Sequence, residues 1–89
     1  MTREQIDNLA MIVGPFVVLE PRAVLDEALV ALAFDPDTQS PSAVYDLDGA
    51  SMLMADADSM DFHDAREFLL YNNAGQVVWL HELECRLEA

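Results

Sequence analysis

Lysine is absent from this chain. The four basic residues are all arginine and face seventeen aspartates and glutamates, so 89 residues carry a formal net charge of -13. A surface this negative repels nucleic acid and anionic membrane, and it attracts proteins whose working face is basic. Cysteine is nearly absent too. Cys85 has no second thiol to pair with, whereas secreted domains of this size are usually held by several disulfides, so a reducing cytoplasmic setting is expected. Three glycines leave little room for a phosphate-cradling loop, and neither Gly-x-Ser-x-Gly nor His-Glu-x-x-His occurs. The chain is therefore not expected to be an enzyme, and no cofactor is expected. Long apolar runs are also missing. The stretch Leu9 to Leu19 is far shorter than the ~20 residues that span a bilayer. Gly14-Pro15 interrupts it, and Arg3 stands before it against Glu4 and Asp7, so neither a membrane span nor a signal peptide is expected.

What the chain does hold is 53% hydrophobic residues, well above the content of a disordered acidic tail. The acids should decorate one folded body, a single compact acidic domain over residues 1–89. Thr2 and Gln5 have capping-box spacing, and Ile6, Leu9, Ala10 and Val13 share a helical face, which predicts a helix over Arg3–Val13 that stops at Gly14-Pro15. Phe16-Val17-Val18-Leu19 reads as a short strand. The next segment has two readings. Val24, Leu25, Ala28, Leu29 and Leu32 form a helical stripe; alternatively a helical turn at Pro21 to Asp26 precedes a strand at Ala28 to Phe34, facing Ala43 to Asp46 across a polar loop.

Asp46 or Asp48 is placed to cap a helix carrying Met52, Leu53 and Ala55, the rival being a hairpin turn at Asp48-Gly49. Asp61 then caps a helix over Phe62 to Asn72, with Ala65, Phe68, Leu69 and Asn72 facing the core and Gly75 as a stop. From Gln76 the period becomes two. Val77, Trp79, His81, Leu83, Cys85 and Leu87 alternate with Val78, Leu80, Glu82, Glu84, Arg86 and Glu88, which predicts a long strand; a hairpin of Glu67–Tyr71 with Gln76–Leu80 is the alternative. The expected class is α+β, a small single domain with two to four helices and a short, mostly antiparallel sheet.

Val44-Tyr45-Asp46, then Met60-Asp61-Phe62-His63-Asp64-Ala65-Arg66-Glu67-Phe68, then Tyr71-Asn72 and Gly75 form a recognisable pattern. From about Pro21 to Gly75 the chain resembles an uncharacterised group of small proteins from bacterial and phage genomes. Members of that group show a strand ending in Tyr-Asp, a short helix, Gly-Met before an aromatic, an Ala-x-Glu-aromatic step and a Tyr/Phe-Asn-x-x-Gly ending. The resemblance implies that Ala28 to Phe34 is strand and that the protein is phage-associated; it implies no activity. Ser59 stands where the group has glycine, and Val77-Val78-Trp79-Leu80-His81 replaces its Gly-Glu-x-Thr-Pro continuation.

Between Asp46 and Glu67 there are seven acids, Asp46, Asp48, Asp56, Asp58, Asp61, Asp64 and Glu67, against the single base Arg66. Together with Glu82 and Glu84 on the final strand, these rows of carboxylates are the expected partner-binding residues, because regular negative charge imitates a phosphate backbone to a protein that neutralises phosphates. Individually, acids also cap helices and keep a protein soluble. The expected partner is a basic protein or nucleoprotein complex, with no direct contact to nucleic acid or membrane. The expected function is a phage-encoded, non-enzymatic inhibitor of a host defence complex, of anti-CRISPR or anti-restriction type. The competing expectation is an interaction module whose acidity only solvates it, forming a weak homodimer through Val77 to His81. No metal site is expected. His63 and Glu67 lie at i, i+4 and His81 is the other histidine, but no ligand spacing is recognisable, and Asp56-Ala57-Asp58 lacks the glycine of a calcium loop. Cys85, among glutamates, reads as inert; Met52, Met54 and Met60 read as core; Trp79 reads equally as core anchor or interface residue.

Overall fold

The first helix starts where Thr2 Oγ1 accepts from the Gln5 N–H at 3.2 Å and Gln5 Oε1 accepts from the Thr2 N–H at 2.9 Å, a reciprocal capping box. In this computed structural model, which describes residues 1–72 and 76–80, α1 spans Arg3–Val13 and ends at Gly14, whose φ of 97° is open to glycine. Ile6 is its one fully buried residue, and Leu9, Ala10 and Val13 lie beside it half-buried. The strand expected at Phe16–Leu19 does not form. This segment joins no ladder; Leu19 is instead held by donating its N–H to Tyr45 Oη at 2.9 Å.

A single helical turn, α2 (Arg22–Leu25), runs into a 3₁₀ turn at Asp26–Ala28 and then into β1 (Leu29–Phe34). The strand reading of this segment is the observed one. Leu25, Ala28 and Leu29 are buried as a helical stripe requires, but the chain extends at Leu29 because β2 (Pro41–Asp46) pairs with it antiparallel, from Leu29 opposite Tyr45 to Phe34 opposite Pro41. Between them the Asp35 carboxylate accepts from the N–H groups of Asp37 and Thr38, which closes the loop and holds that carboxyl below its ordinary range.

β2 passes directly into α3 (Leu47–Asp58), which is followed after three residues by α4 (Phe62–Asn72) and then by β3 (Val78–Leu80). Asp48 and Gly49 lie inside α3, so no hairpin turn forms there, and Glu67–Tyr71 lies inside α4, so no hairpin to β3 forms either. β3 pairs with β2 in parallel, Tyr45 opposite Trp79, in the order β1-β2-β3. The class is α+β, with four helices and one three-stranded sheet among the described residues. That sheet is mixed: the β1–β2 pair is antiparallel as expected, while the β2–β3 pair is parallel, since a parallel neighbour needs a long crossover and the α3–α4 hairpin supplies one. Tyr45, Leu25, Leu29, Leu47, Leu69 and Ile6 fill the core between sheet and helices.

The final strand is observed as Val78–Leu80, against an expected start at Gln76. Val77 is buried and Val78 exposed, as the expected alternation has it, but Trp79 and Leu80 are both half-buried, so the alternation does not continue through the strand. Gly75, His81, Glu82, Leu83, Glu84, Cys85 and Leu87 lie outside the described residues.

Candidate functional site

The α3–α4 hairpin turns at Ser59, which sits in the left-handed region at φ 54°, with its N–H and that of Met60 both reaching the Ala55 carbonyl. Asp61 follows and accepts from the His63 N–H at 3.0 Å, capping α4. The expected site residues fall into groups around this turn. Asp56 and Asp58 close α3, while Asp61, Asp64 and Glu67 open α4 and run along it; all five are exposed and form no ion pair or side-chain contact with a cation among the described residues. Asp48 lies 4.0 Å from Arg66 across the hairpin. Asp46 is half-buried and folds over the first turn of α3, so close that a Cβ on Gly49 would stand 2.7 Å from its Oδ2. Glu82 and Glu84 are outside the described residues.

Helix electrostatics account for only some of these acids. Asp48, Asp61 and Asp64 sit at helix N-termini, where the macrodipole favours negative charge; Asp56 and Asp58 sit at a C-terminus, where it opposes them.

Along α4 the exposed residues Asp61, Asp64, Glu67, Phe68 and Tyr71 follow the helical repeat as one outward stripe. Tyr71 is 88% exposed and Phe68 47%. This corrects the expected core face of α4: Ala65 and Leu69 are buried, but Phe68 and Asn72 are not. Met52, expected in the core, is 64% exposed on α3, whereas Met54 is buried and Met60 packs against the core as expected. The sequence pattern missed the aromatic part of the stripe because Ala65, Phe68 and Leu69 have acceptable core spacing by themselves; which residues turn inward is decided by how α4 rolls against α3.

A second charged cluster also went unread. Arg22 bonds Asp7 at 3.0 Å and meets Asp26 at 3.5 Å, and Arg3 lies 3.7 Å from the same nearly buried Asp26. The hydrogen bond to Asp7 raises the Arg22 guanidinium above its ordinary range, with Asp26 adding to the effect against desolvation. The i, i+4 spacing of Arg22 and Asp26 was a legible signal; the contact to Asp7 was not. Two of the four arginines are thereby held on the α1–α2 side, away from the hairpin turn.

Among the described residues no group of three or more His, Cys, Asp or Glu side chains is placed to hold a metal ion. His63 is exposed, with its ring edge-on to Phe62. No described helix is long and apolar enough to cross a membrane. No protein-family model, curated protein or solved structure matches this chain.

Proposed function

We propose that the α3–α4 hairpin is a docking surface for the basic, nucleic-acid-binding face of another protein, and that the protein is a phage-encoded inhibitor acting by occupying that face. The observation that carries this reading is the composition of the outward surface. Asp61, Asp64 and Glu67 share a stripe with two exposed aromatic rings, and Asp56 and Asp58 stand where helix electrostatics disfavour them. A merely solvating surface needs neither feature. Aromatic side chains are enriched at interfaces, where they supply burial, while the carboxylates supply steering toward arginine- and lysine-rich partners.

The mechanism contains no bond-making step. The partner's cations, which would otherwise neutralise phosphates, are engaged by carboxylates, and nucleic acid is excluded by competition. The test is a competition series with CRISPR surveillance complexes and restriction enzymes, in which the protein should displace bound DNA. Reversing Asp56, Asp58 and Asp64 to lysine together should weaken displacement by about tenfold or more, from three contacts of ~0.2–1 kcal/mol each plus the new repulsion. Equal displacement by the triple variant, with its fold intact by circular dichroism, would sink the proposal.

A further inference from the structure

Among the described residues the order β1-β2-β3 gives β1 one neighbour, and no backbone group of Ala31 to Phe34 bonds to any element but β2. Leu29 differs, its carbonyl accepting from the Met1 nitrogen at 2.7 Å. Edge strands are usually blunted by charges, proline or a bulge, yet Leu29-Val30-Ala31-Leu32-Ala33-Phe34 holds no charge and no proline. A register shift between Leu29 and Ala31 is the one such device, and it leaves Val30 unmatched and 46% exposed. Beside Val30 runs a groove of about 300 Å³ lined by Gly49, Met52 and Leu53, with Glu27 and Asp46 on its rim. The Asp46 carboxylate has no hydrogen bond or ion pair among the described residues.

We infer that β1 is a second binding edge, which accepts an extended apolar segment of a partner protein flanked by lysine or arginine as a fourth strand of the sheet. Main-chain hydrogen bonds along Ala31–Phe34 hold the segment, and a long cationic side chain lies with its stem along Val30, Met52 and Leu53 and its head group at Asp46. Charge selects this occupant over a second copy of the chain. Antiparallel self-pairing about Ala31 and Leu32 would bring Asp35 and Asp37 of each copy toward the exposed Glu27 of the other, between chains that each carry a charge of -13. A basic-flanked strand meets the same carboxylates with opposite sign. This edge does not depend on the reading of the hairpin turn, whose α4 residues Asp64 and Glu67 do not line the groove.

The experiment titrates the full chain with a short valine–threonine strand peptide bracketed by lysine pairs, followed by amide hydrogen exchange and calorimetry. Binding should slow exchange at Leu32 and Phe34, the amides that face away from β2, and N-methylation of alternate peptide amides should abolish it. The double variant Glu27→Gln, Asp46→Asn should keep its melting temperature and bind the lysine-flanked peptide about fivefold to tenfold more weakly. The Asp64→Asn, Glu67→Gln variant, altered on α4, which does not line the groove, should bind the peptide like wild type while displacing DNA more weakly, so failure of the hairpin proposal and failure of this one are separable. Equal affinity for a glutamate-flanked peptide, undiminished binding of the N-methylated one, or no binding at all would overturn the inference. So would concentration-dependent protection of Leu32 and Phe34 without peptide, which would make a second copy the occupant.

Discussion

Tyr45 is fully buried, and its hydroxyl oxygen is the acceptor for the Leu19 N–H. Tyr45→Phe keeps the ring but strands that buried donor, so it should destabilise the fold by about 1–3 kcal/mol in chemical denaturation. Burial, partly offset by the Leu19 bond, raises the phenol above its ordinary value. Because the folded value exceeds the unfolded one, the neutral phenol's stabilisation is complete below about pH 10 and is lost as pH rises through the folded value. Wild type should therefore lose stability more steeply than Tyr45→Phe in an alkaline denaturation series; parallel slopes would contradict the assignment. Trp79 stacks at a tilt against Tyr45, ring centroids 6.0 Å apart, and its enclosed Nε1 has no acceptor among the described residues. Trp79→Phe keeps most of the ring contact and removes the orphaned donor, so it should fall within about 1 kcal/mol of wild type, whereas Trp79→Ala should cost about 2–4 kcal/mol.

The α3–α4 hairpin places acids of opposite energetic sign within a few residues. Asp61 caps α4, so Asp61→Ala should cost about 0.5–2 kcal/mol. Asp58 ends α3, so Asp58→Asn should leave stability unchanged or raise it by about 0.3–1 kcal/mol at low salt. Thermal melts of the two variants, side by side, read this difference; a matching loss in both would mean that Asp58 makes a stabilising contact. The boundaries of α1 and α4 were legible because capping is local chemistry: Thr2, Gln5 and Asp61 act on donors two or three residues away. β1 was not legible in the same way. Its leucines and alanines suit a helix as well as a strand, and the choice falls to pairing with β2.

Charge is distributed unevenly over the molecule. Arg3 and Arg22 are held near Asp7 and Asp26, and Arg66 reaches toward Asp48, so five exposed carboxylates around the hairpin turn repel one another and form no ion pair among the described residues. Screening should relieve this repulsion, and the melting temperature should rise as salt increases from about 0.01 to 0.15 M, over which the Debye length shrinks from about 30 to 8 Å. Binding to a basic target should weaken over the same range. A melting temperature that falls with salt would show that attractive pairs dominate the surface, and would remove the argument that the carboxylates are available to a partner.

By itself the sequence determined the charge, the absence of the known catalytic motifs, the extents of α1 and α4 and the seven acids between Asp46 and Glu67, because each follows from composition or from interactions spanning a few residues. Tertiary structure alone decided the rest. Which face of α4 turns outward, and hence that Phe68 and Tyr71 join Asp64 and Glu67, depends on the roll of one helix against another. That β3 runs parallel to β2 depends on the hairpin serving as a crossover. Among the described residues the edge of β1 is open because β3 joins β2 on its far side, and no local pattern in Leu29–Phe34 records which neighbour a distant strand will take.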